Sequence, residues 1–319
     1  MDYLVNGSTD PHWNMAFDEW CLEHLDAAEP VFYLWRNRPS VIIGLNQNAY
    51  SEVNLNYLES NGITLARRVT GGGAVYHDLQ NLNYTFIGRS VDTAPFVEAL
   101  RSVGVPAEVT GRNDVFVDGR KISGYAKRVW KDRTMVHGTL MYDVDIDTLS
   151  SVLSVPGSKM EVKGIASVRS RVCNLREICP QFSSVLEVKE ALQAFLEQYG
   201  GGGRRIVLSG PQLSEITSLC ESKFATWEWN YGRSREASIV RSGKLPCGTV
   251  EARLDVDGGI IRSAAFTGDF LGRLSPDGLA EALAGLRYDR KEIEKAVSSL
   301  EIGNYLDGTG RDEFVHLLI

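Results

Sequence analysis

The sequence lacks the features that would assign it to several common classes of protein. Its five cysteines are scattered and include no Cys-x-x-Cys pair, so neither a disulfide framework nor a zinc site is indicated. No apolar run approaches the roughly 20 residues of a transmembrane helix, and the N-terminus lacks the basic-then-apolar layout of a signal peptide. A net charge of −7 argues against general nucleic-acid binding, which requires a basic face. We therefore expect a cytoplasmic protein that binds neither membranes nor nucleic acid.

Glycine, by contrast, is concentrated at one informative place, the three consecutive residues Gly71–Gly73. Strand-like segments precede and follow it, at 63–66 and 74–76. Glycines between two strands let a ligand approach the backbone, and their amides can form an anion-binding concavity with Arg67 and Arg68 at its lip. The segment has no P-loop ending and opens a strand instead of a helix, so a flexible hairpin is the alternative interpretation.

A second informative segment begins at a predicted hairpin turn, Asp118-Gly119. The return strand carries Lys121, and Ser123 follows two residues later, on the same face of a regular strand. A lysine on a strand beside small residues can point into a cleft, although an ordinary surface lysine is the commoner case. The stretch around His137 predicts the neighbouring strand. These antiparallel segments would therefore bring an anion-binding loop, a lysine and a histidine close together.

The chain is long enough for one large and one small domain, at 319 residues. Asp10 followed by proline predicts the start of a helix near the N-terminus. The composition changes near 232–236, and beyond it alternating strands and two amphipathic helices predict a small α+β unit. We expect a catalytic domain over 1–235, an accessory domain over 245–319 and a linker at about 236–244.

Together these segments resemble the lipoate–protein ligase A family, in the biotin/lipoate protein ligase superfamily, over essentially the whole chain. The matching motifs are RRVTGGGAVYHD (67–78), GRND (111–114), RKISGYAKR (120–128), HGTL (137–140) and SVRSRVCNL (167–175). The resemblance implies an α+β fold. Its large domain is built on a mixed, mainly antiparallel sheet with flanking helices, and a small α+β accessory domain follows at the C-terminus.

The resemblance also implies a reaction in two steps. The carboxylate of lipoate attacks the α-phosphate of ATP, which gives lipoyl-AMP and pyrophosphate. A lysine of an acceptor protein then attacks the activated carbonyl, forms an amide and releases AMP. Octanoate is a second candidate substrate. The implied acceptors are the lipoyl domains of 2-oxoacid dehydrogenase E2 subunits and the glycine cleavage H protein.

Within this reaction Lys121 is the expected catalytic residue and would contact both ATP and lipoate. A positive group is needed between carboxylate and phosphate because negative charge develops there in both transition states. Asn113 and Asp114 would contact ATP, and Asp114 would be the side-chain ligand of Mg²⁺, which offsets triphosphate charge. The remaining residues expected to hold ATP and lipoyl-AMP are Arg68, Gly73, Ala74, Val75 and Tyr76.

The two histidines of the motifs receive different interpretations. His137 lies on the strand beside the lysine and is expected to position the acid. His77 is interpreted as a structural histidine that holds the loop, with a general-base role as the alternative. Apolar residues should line a tunnel for the acyl chain, where each buried methylene contributes about 0.8 kcal/mol, although ordinary core residues are the alternative. The candidate lining residues are Val41, Ile43, Leu45 and Val75.

Cys173 stands where many family members carry threonine, and it opens a second hypothesis for function. Octanoyltransferases share the fold and hold the acyl group on a cysteine, so an acyltransferase acting through Cys173 is the first alternative. The favoured interpretation is a buried cysteine that acts as a small hydrophobe. A non-catalytic sensor of the acyl-adenylate is the other alternative. Such a sensor would usually carry a basic helix-turn-helix segment, and the sequence shows none.

Overall fold

The computed structural model describes residues 1–26, 28–110, 114–153, 171–234 and 237–319. The strands are β1 (Asp2–Tyr3), β2 (Val31–Trp35), β3 (Ser40–Ile43), β4 (Thr64–Arg67), β5 (Val75–His77), β6 (Asn81–Gly88), β7 (Glu108–Thr110), β8 (Asp114–Val117), β9 (Arg120–Trp130), β10 (Arg133–Met141), β11 (Ala237–Leu245), β12 (Gly248–Asp257) and β13 (Ile260–Phe270). The helices are α1 (Pro11–His24), α2 (Ala49–Glu52), α3 (Leu55–Ser60), α4 (Ala94–Ser102), α5 (Ile146–Val152), α6 (Val185–Gln198), α7 (Gly210–Leu219), α8 (Asp277–Leu283), α9 (Arg290–Ala296), α10 (Ile302–Tyr305) and α11 (Arg311–Leu318). Two π-helical turns also occur, at Cys220–Phe224 and Glu228–Gly232.

Three sheets organise these strands. The largest has seven strands in the order β1-β2-β6-β10-β9-β8-β7, and all its neighbours are antiparallel except β1 and β2. A second sheet places β3 between β4, which is parallel to it, and β5, which is antiparallel. The strands β11, β12 and β13 form an antiparallel third sheet. The predicted mixed, mainly antiparallel architecture with flanking helices is therefore confirmed.

The two faces of the seven-stranded sheet carry different side chains because successive strand residues point to opposite faces. On one face, Phe32 and Tyr84 join an apolar core that includes residues of α4 and α6. On the other face, the hydroxyls of Tyr33 and Thr85 donate to Asp18 of α1, at 2.6 and 3.1 Å. Helix α1 therefore covers the face opposite the main core, and it brings a buried carboxylate there.

Helix α1 begins where the sequence predicts. Asp10 has an extended backbone, and its carboxylate accepts hydrogen bonds from the amides of His12 (2.9 Å) and Trp13 (3.1 Å). These bonds satisfy amides that have no partner within the first helical turn. The cap therefore fixes the start of the helix that carries Asp18.

The described residues group into two compact units, and the second contains a short segment from the N-terminal half. Residues 46–61 belong with 227–319, whereas the first unit contains the described residues of 1–45, 62–151 and 171–226. Over the described ranges, no helix is both long enough and apolar enough to cross a membrane.

Contacts inside the second unit explain why 46–61 belongs to it. The ring of the fully buried Tyr50 lies 4.6 Å from that of Tyr288, centroid to centroid. Arg290 forms an ion pair with Glu59 at 2.7 Å. These contacts join residues more than 200 positions apart, which no local sequence pattern could indicate.

The expected linker is wrong for residues 237–244, because Ala237–Leu245 form strand β11. This strand pairs with β12 along its whole length, from Ala237 with Val256 to Leu245 with Gly248. Ile239 is buried in the core of the second unit. The division into a catalytic and an accessory domain stays a prediction.

Asp10→Ala is expected to lower the free energy of unfolding by about 1 kcal/mol, because the first-turn amides of α1 lose their acceptor. Asp10→Asn is the matched control and should retain most of the stability, since its amide oxygen can still cap. Both variants lose the exposed ion pair with Arg38, which contributes little. Urea denaturation followed by circular dichroism measures the difference. Equal stability of the alanine variant and the wild-type protein would show that the cap does not contribute.

Candidate functional site

The glycine loop, Gly71–Gly73, connects β4 to β5 and is exposed. Gly72 has a φ of +102°, a backbone conformation that side chains with a Cβ rarely adopt. A Cβ on Gly44, just after β3, would lie 2.1 Å from the carbonyl oxygen of Gly72. The loop is therefore a defined turn that packs against the end of β3, and not a loose hairpin.

The loop folds around the buried guanidinium of Arg68. Nη2 donates to the carbonyls of Gly71 and Gly73, both at 2.8 Å, and Nη1 donates to the carbonyl of Ile42 at 3.1 Å. Nε donates to Thr70 Oγ1 at 3.0 Å. Burial lowers the pKa of Arg68 to about 10, which still leaves the side chain charged at neutral pH. Arg68 therefore supports the loop from inside.

Arg67 is also fully buried, and its Nη1 donates to the carbonyls of Gly44 (3.1 Å) and Leu45 (3.2 Å). The expectation that Arg67 and Arg68 place their charge at an exposed lip is therefore wrong. Both guanidiniums bond backbone carbonyls, because a buried charge is tolerated only when its hydrogen-bonding groups are satisfied.

The contacts of Arg68 also set the direction of the amides in the loop. The peptide bonds are trans, so the carbonyl and the following N–H point in opposite directions. Because the carbonyls of Gly71 and Gly73 point to the guanidinium, the amides of Gly72 and Ala74 point away from it. Outward-pointing amides in a glycine turn form an anion-binding concavity.

Lys121 and Asp114 form an ion pair across strands β9 and β8. Lys121 Nζ lies 2.8 Å from Asp114 Oδ1, and the two side chains are 38% and 29% exposed. A Cβ on Gly124 would lie 2.8 Å from Nζ, so the glycine leaves the space through which the lysine passes. The ammonium group is therefore held beside a carboxylate while it stays open to solvent.

Ser123 does not share the face of Lys121, which corrects the expectation from strand periodicity. A β-bulge shifts the register, because Phe116 pairs with Lys121 whereas the preceding Val115 pairs with Ser123. Ser123 is buried, with Oγ 3.3 Å from Tyr84 Oη in the main core. The small neighbour beneath the lysine is Gly124.

His137 is buried and connects α1 to the glycine loop. Its Nδ1 lies 2.7 Å from Asp18 Oδ2, and its Nε2 lies 2.7 Å from Thr70 Oγ1. Both ring nitrogens thus face protein groups. The sequence interpretation chose His137 but missed Asp18 and Thr70. A carboxylate among the apolar residues of a predicted helix was the available signal for Asp18.

The register places His137 and the ion pair on one face of the seven-stranded sheet. His137 and Thr139 are two residues apart on β10, and Thr139 pairs with Gly124, which in turn pairs with Asp114. Directly paired residues of antiparallel strands lie on the same face. The structure therefore brings Lys121, Asp114 and His137 to the face to which Thr70 connects the glycine loop.

The other predicted binding residues differ in their exposure. Val41 and Ile43 are completely buried in the central strand of the small sheet, as the alternative interpretation of core residues expects. Tyr76 is buried, whereas Leu45 is half-buried. The amide of Leu45 donates to the Thr70 carbonyl at 2.8 Å, so Leu45 adjoins the loop. Ala74 and Val75 are half-buried, and Asn113 lies outside the described residues.

His77 is poorly suited to proton abstraction. It is buried, and Asn37 Nδ2 lies 3.0 Å from its Nδ1. Burial, helped by the charge of Arg68, lowers the pKa of His77 to about 3. Such a weak base is neutral at physiological pH and is an inefficient general base. These observations favour the structural interpretation.

The environment of Cys173 opposes a nucleophilic role. The residue is buried in the main core, and its Sγ lies 3.3 Å from the carbonyl oxygen of Asn174. Burial, followed by the carboxylate of Glu177, raises the pKa of Cys173 to about 11. Because the thiolate is the nucleophile, a thiol in this environment is inert near neutral pH. The interpretation as a small hydrophobe is favoured.

A metal ion at this site would have one carboxylate ligand, that of Asp114, and the described residues form no complete set of metal ligands. In the described part of the chain, no three His, Cys, Asp or Glu side chains converge as metal ligands. Mg²⁺ in nucleotide sites typically takes one or two carboxylates together with phosphate oxygens. Asp114 fits such an ion if the nucleotide brings it.

Comparison with known proteins gives two family matches that together cover most of the chain. The lipoyl protein ligase A/B catalytic domain matches residues 10–197, and the bacterial lipoate protein ligase C-terminus matches residues 234–318. Lipoate–protein ligase 1 of Staphylococcus aureus is 40% identical over 330 residues, which cover the whole of both chains.

Two solved structures resemble this chain. A bi-partite lipoate protein ligase from Thermoplasma acidophilum, studied with its E2 lipoyl domain, is 32% identical with a TM-score of 0.65, over 75% of this chain and 98% of that chain. A lipoate–protein ligase A bound with ATP is 30% identical with a TM-score of 0.63, over 73% and 98% respectively. Both similarities confirm the predicted fold class.

Gly124→Ala is expected to separate the Lys121 ammonium from Asp114, because the added Cβ would lie 2.8 Å from Nζ. The fold should be retained, since the clashing atom is the end of a flexible side chain, and the thermal midpoint should move by less than about 4 °C. Gly7→Ala is the control, because a Cβ there has nothing within 4 Å. A crystal structure of Gly124→Ala with an intact ion pair would contradict the proposed role of the glycine.

Proposed function

This chain belongs to the lipoate–protein ligase family, and we propose that it activates lipoate with ATP and transfers the lipoyl group to a lysine of acceptor proteins. The observation that supports this most directly is the Lys121–Asp114 ion pair, which shares a sheet face with the histidine that bonds the glycine loop. A mobile positive charge beside an anion-binding loop suits a reaction between two anions.

In the first step a carboxylate oxygen of lipoate attacks the α-phosphorus of ATP. A bond forms between that oxygen and phosphorus, and the bond to the β-phosphate oxygen breaks to release pyrophosphate. Lys121 lies between the two anions and offsets their repulsion. Its half-exposed ammonium can turn from Asp114 to a phosphate oxygen, and the buried Oδ1 of Asp114 then needs another partner.

In the second step the amine of the acceptor lysine attacks the carbonyl carbon of lipoyl-AMP. An amide bond forms, the amine loses a proton, and AMP leaves with the electrons of the mixed anhydride bond. Negative charge develops again beside the phosphate, so the same lysine stabilises both transition states. The outward amides of Gly72 and Ala74 hold the phosphate of the adenylate, and Arg68 acts through the loop that it supports.

ATP is the co-substrate, and we assign Asp114 as the carboxylate that would take Mg²⁺ brought by the nucleotide. When bound, the ion would offset triphosphate charge. Asp114 would then exchange its partner from Lys121 to the metal, which frees the ammonium for the reacting groups. Leu45 and Val75, which are half-buried beside the loop, are our candidates for contact with the acyl chain.

The acceptors we propose are the lipoyl domains of 2-oxoacid dehydrogenase E2 subunits and the glycine cleavage H protein. The archaeal ligase that this chain resembles was studied with its E2 lipoyl domain, which supports an acceptor of that kind. We place the reaction in the cytoplasm, because it consumes ATP and because the five cysteines are free thiols, as is usual in a reducing compartment.

Lys121→Ala is expected to slow both steps by a hundred- to a thousandfold, because one stabilising charge contributes about 3–4 kcal/mol to such transition states. Pyrophosphate release with lipoate and ATP measures the first step, and transfer from preformed lipoyl-AMP to a lipoyl domain measures the second. Lys127→Ala is the control, since Lys127 is an exposed lysine of the same strand. Normal adenylate formation by Lys121→Ala would remove the residue from the mechanism.

Cys173→Ser is expected to retain full ligation, because an adenylate route requires no thiol. Intact-protein mass spectrometry of the wild-type protein after reaction should detect no acyl thioester. A serine variant that cannot transfer, together with an acylated wild-type cysteine, would establish the acyltransferase alternative instead.

A further inference from the structure

A buried chain of hydrogen bonds connects helix α1 to the residue that precedes the glycine loop. It runs from Asp18 through His137 to Thr70, and both contacts of the imidazole measure 2.7 Å. The exposed fractions are 1% for Asp18, 6% for His137 and 1% for Thr70. Bulk water therefore cannot substitute for any of these contacts, and the direction of each hydrogen bond matters.

The chemistry of Arg68 and Asp18 fixes the directions at the two ends of the chain, and the tautomer of His137 sets the direction between them. A guanidinium can only donate, so Thr70 Oγ1 accepts from Arg68 Nε at 3.0 Å. A carboxylate can only accept, so His137 Nδ1 carries a proton and donates to Asp18. In the tautomer that carries its proton on Nδ1 alone, Nε2 accepts, and the hydroxyl hydrogen of Thr70 points at it. In this arrangement each of the three hydrogen bonds between these side chains has one donor and one acceptor.

A second set of contacts fixes the carboxylate. Oδ1 of Asp18 accepts from the hydroxyls of Tyr33 and Thr85, so Oδ2 alone faces the imidazole. An asparagine at position 18 would keep its oxygen toward these two donors. Its NH₂ group would then face His137 Nδ1 and would force the proton of the ring onto Nε2.

We propose that Asp18 is a positioning residue for the ligase reaction, which acts through the tautomer of His137 on the hydroxyl of Thr70. With Nδ1 protonated, Thr70 is held by Arg68 on one side and by His137 on the other, and this fixes the entry to the glycine loop. With Nε2 protonated, the ring donates to Thr70, and the hydroxyl hydrogen must find another acceptor. The loop then loses its single arrangement.

The proposal rests on the proposed function, because the loop is taken to hold the adenylate. Asp18→Asn is expected to lower kcat/KM for pyrophosphate release about ten- to a hundredfold, the range seen when partners that orient a histidine are removed at metal sites. A larger KM for ATP should accompany the loss of kcat/KM, because in Asp18→Asn the glycine loop loses its single arrangement while Lys121 keeps its contacts. Tyr142→Phe is the control, because it removes one partly buried hydrogen bond of a residue in the main core.

A spectroscopic measurement separates positioning from loss of structure. The chain has five histidines, so ¹⁵N-labelled imidazole signals can be assigned by single substitutions. We expect His137 to carry its proton on Nδ1 in the wild-type protein and on Nε2 in Asp18→Asn. An unchanged tautomer in Asp18→Asn would overturn the proposal.

A double-mutant cycle tests whether Asp18 acts through Thr70. Thr70→Val should reproduce the loss of Asp18→Asn, Thr70→Ser should retain activity, and adding Asp18→Asn to Thr70→Val should cost less than twofold further. The proposal would be overturned if Asp18→Asn lowered kcat/KM by the same factor in the wild-type protein and in Thr70→Val. If Asp18→Asn does not fold, Thr70→Val and Thr70→Ser test the proposal instead. Similar activity of these two variants would contradict a role for the hydroxyl of Thr70.

A wild-type protein that releases no pyrophosphate would refute the proposed function. The tautomer measurement would still test the hydrogen-bond chain in that case.

Discussion

The arrangement of the site depends on the burial of the Arg68 guanidinium beneath the glycine loop. A buried charge is costly unless its donors are satisfied, and here backbone carbonyls and one hydroxyl satisfy them. The burial of the guanidinium also constrains the loop, which must fold around the cation with its carbonyls pointing inward. Its amides consequently turn outward. A glycine-rich turn thereby becomes a fixed surface of donors, which three glycines alone would not provide.

The second cation of the site has the opposite character. Lys121 keeps a compact charge on a flexible stem, half-exposed and paired with one carboxylate. Arginine suits a permanent structural role because its planar fork bonds several oxygens at once, whereas an ammonium can exchange one partner for another. The division is physically reasonable for a two-step reaction. In the mechanism we propose, the loop keeps its shape through both steps, while the charge of Lys121 moves with the reacting atoms.

Local patterns in the sequence predicted what depends on neighbouring residues. The cap at Asp10 and the turn at Asp118-Gly119, whose φ angles of 49° and 72° suit a tight hairpin, follow from side-chain and backbone chemistry within a few positions. Lys121 and His137 were chosen from the predicted hairpin and strands together with the family motifs, and Asp114 from the motifs, and their roles stay predictions. The bulge beside Lys121 was missed, because one extra residue in a strand leaves no mark in an alternating pattern. The burial of both arginines was missed because it depends on carbonyls of other segments.

Asp18 shows why hydrophobic periodicity could not predict the remaining part of the site. A hydrophobic pattern identifies which face of α1 is buried, and a carboxylate on that face looks like an exception to it. Burial of that carboxylate is tolerated because Tyr33, Thr85 and His137 all donate to it, and the strands of Thr85 and His137 lie far from α1 in the sequence. Buried polar networks of this kind are retained where one arrangement must be specified, since a partly satisfied network destabilises the fold. The exception in the pattern is therefore the feature that points to the positioning role we propose for Asp18.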